Sequence, residues 1–239
     1  MVVRIGLRVR EWPGGENRRM GGFTLIEAVI VIAIIGIVAA TTLPNVSQYF
    51  ENARGRAAAK SVADAFHAAR AQAIRTGNNH LVFFSIGGAG DTVGTNLLAA
   101  DGQAVPILVL NDGAPGSANQ NCEIDAGEET VTFAAEEGVG WGSNDPTGAQ
   151  IPPNELLSTL PPNGSSFRAP DGTTPVTWVQ FRPDGVPVAV DASCNAGRLG
   201  TGGGTIYLWT NRRDFAVTLA PLGGTRVHTW NAATGGWTQ

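Results

Sequence analysis

Apolar residues fall along this chain in three regimes. Over residues 23–43 they are nearly continuous, FTLIEAVIVIAIIGIVAATTL, with Glu27 as the only charge. About twenty helical residues rise ~30 Å, the hydrocarbon thickness of a bilayer, so the run predicts a helix able to span one. Over residues 45–76 a helical period replaces it. Val46, Phe50, Ala53, Ala57, Val62, Phe66, Ala69 and Ala73 recur at three- and four-residue steps, and the charged residues lie mostly off that stripe. Gly77-Asn78 then gives a C-cap signal. Beyond Gly77 the period shortens towards two, predicting strands at residues 80–86, 105–110, 130–134, 176–181, 186–190, 205–209, 215–220 and 225–230.

Turn signals separate those strands, notably Arg182-Pro183-Asp184-Gly185 and Asn211-Arg212-Arg213-Asp214. A long helix followed by antiparallel hairpins predicts an α+β architecture. The helix is transmembrane in its lower half and amphipathic in its upper half, where it packs on an antiparallel β-sheet domain. The expected segments are a basic leader at 1–22, a membrane helix at 23–43, its amphipathic continuation at 44–77 and a β-rich domain at 78–239. Pro44 lacks an amide donor and clashes with the preceding turn, so a kink is expected there. Two irregular insertions, residues 87–104 and 111–175, interrupt the strands.

Charge orients this plan. Residues 1–22 hold five arginines against Glu11 and Glu16, whereas from Asn45 onward eleven basic residues face seventeen acidic ones. The positive-inside tendency keeps the leader cytoplasmic and sends the C-terminal domain across the membrane. The 32 glycines and 14 prolines favour a loop-rich β body over a helical one. Residues 1–17 carry no apolar period, and a translation start nearer Arg18 fits them equally well.

The chemistry concentrates where leader meets helix. In a secretory signal the small-residue cleavage site follows the apolar core, and cleavage discards that core. Here Gly21-Gly22 precede it, so a cut after Gly22 removes only the leader and leaves Phe23 as the N-terminus. Glu27 becomes the fifth residue, a carboxylate whose burial at a helix centre costs roughly 2.5–3.5 kcal/mol. The free α-amine of a neighbouring copy is a positive group able to pair with it.

Gly22-Phe23-Thr24-Leu25-Ile26-Glu27 followed by an apolar helix resembles the class III signal of type IV pilins and type II secretion pseudopilins. The resemblance implies that prepilin peptidase cuts after Gly22 and that Phe23 becomes N-methylated. It also implies that Glu27 neutralises the N-terminus of an adjacent subunit during filament assembly, and that Pro44 stands at the usual helix kink. Other pilins or pseudopilins, the peptidase and an inner-membrane assembly platform are the implied partners. Less specifically, Arg75-Thr76-Gly77-Asn78-Asn79, the Phe181-Arg182-Pro183-Asp184-Gly185 turn and the closing strands resemble minor pseudopilins of the GspH/FimT type. That implies a pilin-like fold and a tip or priming role in the type II secretion pseudopilus, anchored in the bacterial inner membrane with a periplasmic domain.

Some FimT-type minor pilins take up DNA through a GRxR-like motif near the C-terminus. The matching region here, Gly224-Thr225-Arg226-Val227-His228, has Thr225 and His228 in place of the two arginines. Arg212, Arg213 and Arg226 remain as candidate phosphate contacts at one end of the closing strands. A net charge of −6 from Asn45 onward, eleven basic against seventeen acidic residues, opposes DNA binding unless the patch is local.

Cys122 and Cys194 are the only cysteines. In an oxidising compartment they most simply form one disulfide tying the acidic insertion to the body, the alternative being two separately placed thiols. No basic residue occurs between Arg75 and Arg168, an interval with eleven acids. It reads as a solvated acidic face or, through Asp125, Glu128 and Glu129, as a calcium site lacking the usual loop spacing. His67, His80 and His228 have no metal-type spacing. No nucleophile elbow or phosphate-binding lysine motif is present. The expectation is a non-enzyme with no cofactor and no metal.

Overall fold

In a computed structural model, residues 23–85, 97, 105–125, 127–133, 138–143 and 164–238 are described, residues 41 and 43–45 by their backbone alone. The leader, including Gly22, and large parts of both insertions lie outside them. The chain divides into two units, Met1–Asn45 and Val46–Gln239.

Among the described residues there is one helix, α1 (Leu25–Thr76), whose backbone continues through Pro44. Thr24 caps its start: the Thr24 Oγ1 accepts the Glu27 N–H at 3.2 Å. Gly77 ends it at φ 70°, donating its N–H to the Ala73 carbonyl at 3.0 Å, the left-handed cap that a β-carbon would strain. No described helix is long and apolar enough to cross a membrane.

Among the described residues ten strands follow: β1 (His80–Phe84), β2 (Ile107–Asn111), β3 (Thr130–Phe133), β4 (Gly140–Trp141), β5 (Trp178–Phe181), β6 (Pro187–Val188), β7 (Gly204–Trp209), β8 (Asp214–Leu219), β9 (Thr225–Asn231) and β10 (Gly236–Thr238). They make two five-stranded antiparallel sheets where the sequence suggested one, in the orders β3-β2-β1-β5-β6 and β10-β9-β8-β7-β4. The short strands β4 and β10 went unanticipated, because two or three residues carry no detectable alternation. In register, Val82 of β1 lies between Val109 and Val179, and Val217 of β8 between Ile206 and Val227.

Alternation along each strand decides what it buries. Val82 and Phe84 of the first sheet join Ile206, Leu208, Phe215, Val217 and Leu219 of the second in one cluster with the upper helix. Phe66 stands at its middle, with ring centroids 5.6 Å from Phe84, 6.0 Å from Phe167 and 6.3 Å from Phe181. The other face of β1, Leu81 and Phe83, packs with Leu108, Leu110, Cys122 and Val190 in a second cluster. Both faces of β1 are covered, so HLVFF is apolar without alternation.

The helix contributes a stripe that differs from the expected one. Ala59, Val62, Phe66, Ala69 and Ala73 are fully buried, and Gly55 continues the stripe downward with the Phe215 ring against it. Val46 and Phe50, placed on the packing face by their spacing, are exposed, as is Ala53. The step from Ala57 to Val62 is five residues, which breaks the helical period. Three- and four-residue steps down the helix from Val62 lead instead to Ala59 and Gly55.

Candidate functional site

The first candidate is the head of α1 in the first unit. Phe23 is 81% exposed, and Leu25, Ile26, Val29, Ile30, Val31, Ile32, Ile34 and Ile35 are all exposed. Consecutive positions point to every side of a helix, so this segment is apolar all round. Such a helix finds its stable place inside lipid or among other apolar helices, since in water each exposed side chain forfeits about 1.5–3 kcal/mol. Glu27 is exposed in the first helical turn, where a carboxylate also complements the positive end of the helix dipole.

Residues 17–43 match the family described as the prokaryotic N-terminal methylation motif. The chain carries this motif. It is the signal of type IV pilin-like and pseudopilin subunits, and it supports processing by prepilin peptidase, assembly into pilus-like filaments and membrane anchoring. No curated protein and no solved structure matches the chain. Gly22, the residue before the implied cut, lies outside the described residues.

The second candidate lies in the second unit, where the two turns after β7 and β9 border a cavity of about 330 Å³. Arg212, Arg213, Trp230 and Asn231 line it. Arg212 forms an ion pair with Glu51 of α1, its Nε 3.1 Å from Oε2, although the N–H does not point along that line. Arg213 has no ion pair among the described residues. Trp230 is almost fully buried and its Nε1 has no acceptor there. Arg226 does not join this group. It pairs with Thr218 in register, five positions along from Arg213 and about 17 Å away at strand spacing, so the three arginines do not gather at one end.

The third candidate is the cysteine pair. Cys122 and Cys194 are joined as a disulfide with Cα atoms 5.4 Å apart. They are the only described non-glycine residues with positive φ, at 59° and 62°. Between their sulfurs and β2 sits Asp112, which has no exposed surface. Its Oδ1 accepts the N–H groups of Cys122 at 2.8 Å and Asn121 at 3.2 Å. Its Oδ2 lies 3.9 Å from the Cys122 Sγ and 3.8 Å from the Cys194 Sγ. Burial drives the Asp112 carboxyl up to about 6, opposed by those two N–H bonds and assisted by the charges of Glu128 and Asp125. No spacing rule links Asp112 to the cysteines ten and eighty-two residues away; the signal that could have found it was an acid directly after the apolar ILVLN strand.

The remaining candidates are less convergent. The Asp125 N–H donates to Glu128 Oε2 at 3.0 Å, and Asn121 Nδ2 to Asp125 Oδ2 at 2.7 Å, so these acids are engaged within their own loop. His67 is exposed on α1. His80 and His228 are buried in β1 and β9, and burial lowers the pKa of each ring.

Proposed function

We propose that the chain is a minor pseudopilin or minor pilin of the GspH/FimT type. The observation that carries this reading is the methylation motif over residues 17–43 at the head of a helix that is apolar on every side. After cleavage between Gly22 and Phe23, the helix remains in the inner membrane, with the basic leader having been cytoplasmic and the second unit periplasmic. On extraction into a filament, Glu27 pairs with the methylated α-amine of a neighbouring subunit, cancelling two charges that neither lipid nor an apolar bundle solvates. The second unit, with two sheets on the upper helix, then stands at the filament surface or tip and primes the type II secretion pseudopilus.

A second reading, DNA capture by a pilus, is favoured by one feature: among the described residues Arg213 is free of an ion pair and lines a cavity, a cation available to a phosphate. Against it stand the ion pair that occupies Arg212 and the distance of Arg226. Deleting the gene and scoring both secreted enzymes in the medium and transformation frequency separates the two. Loss of secretion alone supports the pseudopilin reading; loss of transformation alone moves the function to DNA uptake; loss of neither overturns both.

A further inference from the structure

The Asp112 carboxylate is unequally satisfied. Oδ1 holds two N–H donors, whereas the nearest partners of Oδ2 are the two cystine sulfurs. A cystine sulfur carries no proton and donates nothing, so the oxidised protein buries a carboxylate oxygen without a donor among the described residues. Once reduced, the same two atoms are thiols, each able to direct an S–H at Oδ2 from its present distance. A buried charged acceptor gains more from a donor than an exposed one does. The carboxylate therefore favours the dithiol over the disulfide.

Access is unequal as well. Cys122 is fully buried, while Cys194 is half-buried. An incoming thiolate reaches Cys194, and Cys122 is the sulfur that leaves, beside the Asp112 carboxyl that can hand it a proton.

We propose that Cys122 and Cys194 form a thiol–disulfide exchange site, reduced by a dithiol partner and re-oxidised by the disulfide form of that partner, with Asp112 as its proton carrier. In the forward step a partner thiolate attacks the Cys194 Sγ, forming a mixed disulfide and expelling Cys122 as a thiolate. Asp112, when protonated, passes its proton to that thiolate. The partner's second thiolate then attacks its own sulfur in the mixed disulfide and releases Cys194, which takes a proton from water. One S–S bond is lost here and one is formed in the partner, with two electrons and two protons transferred. Among the described residues the charged groups that act on Asp112 are Asp125 and Glu128, both acids, and no cation there holds it ionised in the oxidised state.

The test equilibrates the full chain, in detergent, with reduced and oxidised dithiothreitol at pH 7.5 and counts free thiols by alkylation and mass. Asp112→Asn keeps an oxygen for the two N–H donors but removes the charge. The expected result is that wild type becomes half-reduced at a reduced-to-oxidised ratio about tenfold lower than the variant needs, about 30 mV. Equal ratios overturn the proposal. A measurement on wild type alone guards against misfolding of the variant: protons taken up per two electrons fall from two above pH 7 towards one between about pH 5 and 6. Asp112 then starts protonated in the disulfide and ends ionised against two thiols. Two protons at every pH from 5 to 8 overturn the proposal equally.

Discussion

The Thr24 hydroxyl oxygen accepts the backbone N–H of Glu27, so the residue we propose for subunit assembly also sits at the third position of a capped helix. The two roles separate by substitution. Thr24→Ala removes the cap and costs about 1 kcal/mol of local helix stability. Glu27→Gln leaves the backbone donor in place and removes only the charge. We expect Glu27→Gln and Glu27→Ala to be cleaved normally but recovered in sheared filaments at least about tenfold less than wild type, as loss of a charge-assisted pair implies. Thr24→Ala should assemble nearly normally. Equal recovery of Glu27→Gln and wild type would leave the carboxylate without an assembly role.

Gly55 tests the packing of helix on sheet. A methyl group there meets the ring of Phe215, which is fully buried and has no room to retreat. Alanine ordinarily strengthens a helix by about 1 kcal/mol over glycine. Here overpacking should win, and Gly55→Ala should lower unfolding free energy by about 1–2 kcal/mol in a denaturant titration. A stabilised variant would mean that the helix does not seat on β8 as described.

Asp112 gives a signed pH dependence. Its folded pKa of about 6 lies above the ordinary 3.8, so the native state binds the extra proton. Its stabilising contribution is complete below about pH 4 and is lost as pH rises through 6. A rise of that size is worth roughly 2–3 kcal/mol between the two protonation states. His80 and His228 work the other way, because their lowered pKa values cost stability as pH falls below about 6.5. The comparison is therefore between variants: Asp112→Asn should gain melting temperature over wild type at pH 7.5 and lose that advantage at pH 4.5. A constant difference across that range would remove Asp112 as the titrating group.

How much of this was legible in the chain depends on where periodicity was the deciding signal. The C-cap at Gly77 and the positions of eight strands followed from spacing and turn residues, because a glycine after a helical run and an Arg-Pro-Asp-Gly turn have few other uses. The lower helix face was misread: Val46, Phe50, Ala53 and Ala57 fit a stripe as regular as the real one, and Gly55 has no hydrophobicity to report. Division into two sheets was hidden because β4 joins β7 across more than sixty residues, pairing Gly140 with Trp209. The meeting of Asp112 with Cys122 and Cys194 depends on tertiary structure alone, while the methylation motif that contains Phe23 and Glu27 is local in sequence.

For nucleic acid, the full processed chain in detergent offers a direct titration. Phosphate contacts release counterions, so binding through Arg213 should weaken steeply with salt and fall on Arg213→Ala. Arg226→Ala, on β9 opposite Thr218 and about 17 Å from Arg213 at strand spacing, should change it little. On the pseudopilin reading no gel shift appears even at low salt. Binding that is lost equally on Arg212, Arg213 and Arg226 substitution would contradict the separation of these arginines.

The most direct measurement is the N-terminus of the chain recovered from membranes of cells with active prepilin peptidase, by sequencing and intact mass. The account predicts a chain beginning at N-methylated Phe23 and retaining the whole apolar helix. A terminus beyond residue 43, or an intact leader in those cells, would contradict it.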